Sequence, residues 1–346
     1  MSVTVNGSSG LTFNDGSVQG TAATSGLVNR IINGAMQISQ RATSITSISS
    51  DYTYTADRFY VTRGGNINYY QRAADGVTYF PPSGFQYYAE VINQSASNPF
   101  MSFSQAIETL NCFDLAGQTV TFSFYARASA NTAASKSLTY RILYSTSANT
   151  RAGAVAFTAT SNISYGTTAN DWTKVTLTGT IPSNAQTITL DTVLASTLAV
   201  GDGYQITGVD LRKGSTGATA QTYDWRPYGT ELALCQRYYY RISAGSAGQV
   251  FGSAYNSTTS TALVSTPFPV TLRASPTSLE QNGTAGDYRV NNLNVATACT
   301  SVPAFNNATQ YFAFTTFTTG ATLTAGNGSA GAAVNTNAYL GWSAEL

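Results

Sequence analysis

An all-β fold is predicted by three observations: apolar and polar residues alternate at period two over many short segments, turn clusters rich in Gly, Asn, Ser and Thr separate those segments, and helix signals are scarce. The 346-residue length favours about two domains. Together these predict a short oligomerising β arm (residues 1–30) followed by two antiparallel β-sandwiches (31–228 and 229–346). The share of apolar residues, 42%, suffices for two cores, whereas charged residues make up only 10%, against a usual share of about 25%. Such a surface is solvated mainly by neutral hydrogen-bonding groups.

The arm comes first. In LTFNDGSVQGTAA, residues 11–23, the apolar Leu11, Phe13 and Val18 flank an Asp15-Gly16 turn. A lone two-stranded hairpin is marginal in water, so these side chains need cover from elsewhere, and identical copies in a threefold or other cyclic arrangement are the simplest source. Leu11, Phe13 and Val18 are therefore the expected contacts between copies. The alternative is an unstructured tail on a monomer.

A change of composition at Thr24–Asn29 marks the start of the first sandwich, and the small-residue run Lys213–Gln221 marks its end. Between them, TVTFSFYAR places Val120, Phe122, Phe124 and Ala126 on one strand face and Thr121, Ser123, Tyr125 and Arg127 on the other. The same reading applies to Leu138, Tyr140, Ile142 and Tyr144, to Val175 and Leu177, and to Ile188 and Leu190. Ser145–Thr150, Thr167–Asp171 and Asn282–Asp287 read as turns. A short helix is expected at Glu231–Tyr238, capped by Thr230 after Pro227 and Gly229. The second sandwich should include strands at Phe268, Val270 and Leu272 and at Phe312 and Phe314. No repeat of the solenoid or β-helix kind is present.

Several chemistries are excluded by composition. Histidine is absent, which removes Ser-His-Asp and Cys-His catalysis. Cys112, Cys235 and Cys299 are odd in number and far apart, so they read as reduced core thiols of a protein folded in a bacterial cytoplasm, not as a zinc site. There is no GxxxxGK[ST] loop to cradle phosphate. A formal net charge of +1, without a Lys/Arg cluster, gives no footprint for nucleic acid. The opening MSVTVNGSSG lacks the basic and apolar stretches of a Sec-type signal, and no apolar run of about 18 residues is present to insert in a membrane. A protein acting outside a cell would then leave as part of a particle.

Glycoside hydrolysis needs two carboxyl groups about 5 to 9.5 Å apart. Asp171, Asp191, Asp202, Asp210, Glu280 and Asp287 are scattered without a telling spacing, so no enzymatic activity is expected. The aromatic content is more suggestive, with 22 Tyr, 16 Phe and 3 Trp. Tyrosine can lay a flat face on a sugar ring and hydrogen-bond its edge. On strands, the pairs Tyr69-Tyr70 and Tyr87-Tyr88 and the triplet Tyr238-Tyr239-Tyr240 send neighbouring rings to opposite faces. Tyr69, Tyr87, Tyr239 and Tyr288 are the candidate glycan contacts. Trp172 and Trp342 are expected inside their sandwiches, and Trp225, beside Arg226 and Pro227, at the hinge. The loops Asn282–Tyr288 and Thr324–Asn335 are rich in small polar residues and suit recognition or plain connection equally.

The arm sequence resembles the amino-terminal part of many bacteriophage tail-fibre proteins. NRIINGAMQISQRATS followed by YTADRFYV resembles a module of phage tail proteins with an NGxxxxxQR opening and a TADRW/F strand. The matching positions are Asn33, Gly34, Gln40, Arg41, Thr55, Ala56, Asp57, Arg58 and Phe59. SFYARAS, YDWRPYGTELALCQRYYYR and AYLGWSAEL are similar to later parts of such fibres, while residues 60–118 and 240–335 match only in general character. Many relatives carry Trp where this chain has Ser39 and Phe59, so no sugar-stacking role passes to those positions. The resemblance implies a jelly-roll domain like those of carbohydrate-binding modules. It also implies a homotrimer attached by its amino terminus to other tail or baseplate proteins, with residues 229–346 as a tip that meets a host surface polysaccharide without catalysis. The virion tail is the implied location, and a capsid decoration or tail adaptor is the alternative. No cofactor is expected. Jelly rolls of this type often hold a structural calcium, but with few acidic residues and no EF-hand spacing no ligands are assigned.

Overall fold

The computed structural model describes residues 28–130, 132, 135–151, 153–214, 223–292 and 295–346, together with the backbone of three short strands before residue 20. Those strands, β1 (Thr4–Asn6), β2 (Gly10–Thr12) and β3 (Val18–Gln19), form an antiparallel sheet in chain order. Leu11 stands opposite Gln19 and Thr12 opposite Val18. The backbone thus makes the expected hairpin and adds β1 as a third strand. Phe13, Asp15 and Gly16, and the side chains of Leu11 and Val18, lie outside the described residues.

The first sandwich is built from β4 (Ser44–Ile48), β5 (Thr53–Tyr54), β6 (Tyr60–Arg63), β7 (Ile67–Ala73), β8 (Tyr87–Asn93), β9 (Asn98–Ile107), β10 (Thr119–Ala128), β11 (Lys136–Ser145), β12 (Ala154–Ile163), β13 (Thr173–Thr180), β14 (Thr187–Leu198) and β15 (Gly203–Lys213). A single helical turn, α1 (Thr109–Cys112), interrupts them. They pair antiparallel into two six-stranded sheets, β13-β10-β15-β8-β7-β4 and β12-β11-β14-β9-β6-β5. Period-two patterning decides which faces meet. Val120, Phe122, Phe124 and Ala126 from β10 join Leu138, Tyr140 and Ile142 from β11, Val175 and Leu177 from β13, and Ile188 and Leu190 from β14 in one core. Each large apolar side chain enclosed there contributes about 1.5–3 kcal/mol.

A bulge in β15 shapes one end of this sandwich. Pairing with β10 shifts register between Ser123 and Tyr125, and Gly208 takes a φ of 63° at that point, a conformation that glycine adopts without the Cβ penalty. The bulge turns the Val209 backbone outward to the segment before β4. Val209 N–H donates to the Gly34 carbonyl at 2.9 Å, and its own carbonyl accepts from Asn29 Nδ2 at 3.1 Å. A Cβ on Gly34 would lie 2.0 Å from the Val209 oxygen, which explains why glycine stands there. Asn29 and Arg30, expected in the arm, are thus already docked on the sandwich, where Arg30 N–H also donates to Leu211 O at 2.9 Å.

The helix α2 runs from Tyr228 to Gln236 and starts at Pro227 with no side-chain cap. It begins three residues before the expected Glu231, because Pro227 presets the first turn and leaves Thr230 inside the helix. The second sandwich follows. A ribbon of β16 (Tyr239–Ser243) and β24 (Tyr339–Ser343) shares a core with a seven-stranded antiparallel sheet. That sheet comprises β17 (Val250–Asn256), β18 (Thr261–Pro267), β19 (Tyr288–Asn292), β20 (Val295–Ala298), β21 (Ala304–Ala308), β22 (Phe312–Thr318) and β23 (Gly328–Ala333), ordered β20-β19-β23-β17-β18-β22-β21. The strand expected at Phe268–Leu272 is not formed. The chain leaves the sheet at Pro267, and Leu272 N–H is taken by Gln310 O at 2.9 Å. In β22 it is Ala313 and Phe317 that enter the core, while Phe312 and Phe314 lie half-buried on the opposite face.

Several of the tail-module motif residues, Asn33, Gln40, Arg41, Asp57 and Arg58, line the seam between the sandwiches, while Ala56 and Phe59 lie in the first core. Gln40 N–H donates to Asp57 Oδ1 at 2.8 Å, while Gln40 Nε2 donates to Asp57 Oδ2 and to Tyr239 O. Arg58 pairs with Glu345, donates to Ala106 O at 2.7 Å and lies 3.5 Å over the Tyr238 ring. Arg41 lies 3.5 Å over the Tyr239 ring and 3.8 Å from Glu280. Asn33 N–H donates to Glu231, which is paired with Arg226. Ile32, Ile38, Cys235 and Tyr238 fill a small apolar centre between these polar groups.

Candidate functional site

Three of the four candidate glycan contacts are enclosed by protein. Tyr69, Tyr239 and Tyr288 are each 0% exposed. Tyr69 belongs to the first core, the Tyr239 hydroxyl donates to Glu280 at 2.7 Å, and the Tyr288 hydroxyl donates to Tyr339 O at 2.7 Å. Tyr87 is half-buried against the first core. The expected opposition of adjacent rings holds, but with the other phase. In β7 and β8 the outward rings are Tyr70 and Tyr88, because Ile67, Tyr69, Ala89 and Val91 take the inner face.

That outer face carries a cleft of about 460 Å³. Its floor crosses four neighbouring strands. Arg127 on β10 stands opposite Gln205 on β15, and Gln205 opposite Glu90 on β8, while Arg72 on β7 stands opposite Tyr88. A continuous ladder joins them. Arg127 Nε donates to Gln205 Oε1, Gln205 Nε2 donates to Glu90 Oε1 at 2.8 Å, and Arg72 Nε donates to Glu90 Oε2 at 2.9 Å. Aromatic rings frame each end. The Arg72 guanidinium lies 4.1 Å from the Tyr70 ring and 4.8 Å from that of Tyr79, whose hydroxyl accepts from Arg72 Nη1 at 3.0 Å. Arg127 lies 4.6 Å over Trp172, which is packed edge-on to Tyr88 at 5.3 Å and donates its indole N–H to Phe80 O. Burial, followed by the Glu90 charge, pushes the Tyr88 hydroxyl up to about 12 against the opposing Arg127 charge. It therefore stays protonated, as a neutral donor and acceptor.

Two loops make the rim. Val77–Phe80 follows β7, and Tyr165–Thr167 follows β12. Each is braced by one aspartate. Asp75 Oδ1 accepts from the backbone N–H groups of Val77, Thr78 and Tyr79, and Asp171 Oδ2 accepts from Thr168 N–H and Oγ1–H. Those hydrogen bonds hold both carboxyls below the ordinary aspartate value. Tyr165, 46% exposed, and Val77, 80% exposed, present apolar surface at the rim.

Tyr88 and Trp172 are enclosed and serve as packing for the floor. A row of donors and acceptors beside the half-buried Tyr79 ring, with the Tyr165 ring open at the rim, is suited to a polyhydroxylated ligand. The sequence pattern places Arg127 on the outward face but does not single out Arg72, Glu90 or Gln205. The available signal is the occurrence of charged side chains at strand interiors in a chain so poor in charge.

The other expected positions are accounted for locally. Asp191 is held by Arg141 and Ser104, Asp202 by Lys136, Asp210 by Arg212, Glu280 by Tyr239, and Asp287 by Asn282 and Asn335. Through Asp287, the loops at 282–288 and 335–337 are tied to each other. Ser39 Oγ donates to Ala42 O, and Phe59 stacks on Phe103 at 4.7 Å. Trp342 is buried in the second core, whereas Trp172 is buried on the outer face against Tyr88 and Arg127 and not inside the sandwich as expected. Trp225 packs on Phe85 and Tyr223 at the start of the link to α2. The three cysteines are free and buried, and burial raises Cys112 to about 11 and Cys299 to about 12. Among the described residues, no group of three or more Cys, Asp or Glu converges as a metal site.

No protein-family model matches this chain, and no curated protein matches it. Several solved structures are similar. The enzymatically active domain of tailspike protein 4 from bacteriophage CBA120 is 17% identical over 54% of this chain and 21% of its own, with a TM-score of 0.35. TmCBM61, solved in complex with β-1,4-galactotriose, is 10% identical over 54% of this chain and 99% of its own, with a TM-score of 0.33. The tandem CBM22-1–CBM22-2 domain of Paenibacillus barcinonensis Xyn10C is 11% identical over 88% of this chain and 98% of its own, with a TM-score of 0.31. At these scores the similarities carry no ligand, assembly or function to this chain.

Proposed function

We propose that this protein is a bacteriophage tail-fibre subunit that binds a host-surface glycan in the cleft of its first sandwich without cleaving it. The ladder Arg127–Gln205–Glu90–Arg72, framed by Tyr70, Tyr79, Tyr88 and Trp172, carries this reading. It offers fixed donors and acceptors on a rigid sheet, with aromatic surface alongside. The absence of cleavage is supported by the cleft lining, where among the described residues Glu90 is the single carboxylate and both its oxygens are already bonded. A retaining or inverting hydrolase would need a second carboxyl group. The fibre role is supported by the resemblance of the arm and of the NG, QR and TADRF segments to phage tail proteins.

This reading moves the receptor contact from residues 229–346 to the first sandwich. Retention of the purified chain on immobilised bacterial surface polysaccharide tests it, with a Gln205→Leu variant as the control that cuts the ladder at its centre. The expected result is retention by the parent, loss by the variant and an unchanged polymer afterwards. Release of oligosaccharides would replace the reading with a depolymerase. Binding to virions without binding to polysaccharide would replace it with a structural virion component.

A further inference from the structure

We propose that the glycan held in this cleft is acidic, and that Arg127 pairs with a carboxylate or phosphate on it. The inference rests on the glycan-binding reading above and specifies its ligand. Three arginines are buried among the described residues: Arg58, Arg127 and Arg226. Arg58 faces Glu345 and Arg226 faces Glu231, both inside the seam. Arg127 is just as enclosed, at 3% exposure, but its hydrogen-bond and ring partners are all neutral. They are Gln205 Oε1, the Thr168 carbonyl at 3.1 Å and the faces of Trp172 and Tyr88. Removing a guanidinium from water without a counter-charge in contact is costly. Arg127 lines the cleft of about 460 Å³, whereas Arg226, which lines smaller hollows, already has Glu231 as its partner.

The rest of the floor does not supply that counter-charge. Glu90 spends one oxygen on Gln205 and the other on Arg72, so Glu90 and Arg72 cancel. Asp171 directs its carboxyl at Thr168, and the Arg127 charge is the weakest of the influences acting on it. With Arg72, Glu90 and Arg127 as the charged residues of the lining among the described residues, the floor carries one net positive charge. A planar guanidinium already oriented by Gln205 and Thr168 is prepared for an anionic oxygen, since charge-assisted bonds of this kind are about twice as strong as neutral ones.

The test is a glycan array of neutral, carboxylated and phosphorylated oligosaccharides probed with the full chain, followed by titration of the best binder at two salt concentrations. Acidic glycans should dominate, and binding should weaken as salt rises. Arg127→Gln should lower affinity for the acidic binder by about ten- to a hundredfold, and Arg127→Lys should retain part of it. Glu90→Gln, which removes the negative charge from the floor, should tighten acidic binding and steepen its salt dependence. A purely structural role for the ladder would instead weaken binding in both Arg127→Gln and Glu90→Gln. Should Arg127→Gln fail to fold, as judged by its melting curve, the Arg127→Lys and Glu90→Gln titrations and the salt response decide the matter. Neutral glycans bound as tightly as acidic ones, without salt dependence, would overturn the inference and leave glycan binding standing. Retention of no glycan of any class would overturn both.

Discussion

The cleft depends on individual side chains whose roles separate cleanly. Tyr165 stands at the rim and is half-exposed, so its loss should affect ligand far more than fold. Tyr165→Ala is expected to lower glycan affinity by about three- to tenfold and leave the melting temperature within a degree or two of the parent, as measured by titration and calorimetry. Asp57 behaves differently. Burial pushes its carboxyl up to about 6 from the ordinary aspartate value, against the opposing hydrogen bonds from Gln40. Because the folded state holds the proton more tightly than the unfolded chain, this group costs stability above pH 6, and the cost is relieved as pH falls toward 4. The effect is on the order of 3 kcal/mol at most. The stability difference between the parent and Asp57→Asn, followed by urea denaturation from pH 7 to 4, should shift in favour of the parent as pH falls. A flat difference would show that Asp57 does not titrate in this range.

At the level of elements, the buried ion pair Arg58–Glu345 joins the end of β5–β6 to the strand end after β24. Removing one partner leaves the other charge enclosed, at a cost of about 3–5 kcal/mol. Glu345→Gln should therefore lower the unfolding midpoint in urea strongly, whereas Arg58→Met combined with Glu345→Leu should recover most of the loss. The strands themselves are legible in the sequence, because alternation in β10, β11, β13 and β14 names the core residues directly. What alternation leaves open is phase where both neighbours are large. In Tyr69-Tyr70 and Tyr87-Tyr88 the inner ring is fixed by Ile67, Ala89 and Val91, and by the sheet that closes over them. The ladder is harder still to read. Arg72, Glu90, Arg127 and Gln205 lie on strands far apart in the chain, and only the order β10-β15-β8-β7 makes them neighbours. The Gly34 requirement is likewise hidden, since it arises from a bulge more than 170 residues away in sequence.

For the whole molecule, the prediction concerns number of copies. If the arm joins identical chains, deleting residues 1–27 should convert a trimer into a monomer by sedimentation, leave the affinity of each cleft for a short oligosaccharide unchanged, and reduce retention on whole cells by about 10²- to 10⁴-fold through lost avidity. A parent chain that sediments as a monomer would remove the basis for the fibre assembly while leaving the cleft untouched. The seam also sets what a truncation can report. Because Gln40, Arg41 and Arg58 use Tyr239, Glu280 and Glu345 as partners, cutting the chain at residue 229 would strip charges bare in the first sandwich, so point substitutions are the cleaner instrument.

The two aspartates that brace the rim loops bear on the kinetics of capture. Asp75 and Asp171 hold Val77–Tyr79 and Thr168 in place through backbone hydrogen bonds, so the mouth has little ordering left to do when a ligand arrives. Arrival should then be governed by diffusion and orientation, with little variation between related glycans, and selectivity should be expressed in how long each one stays.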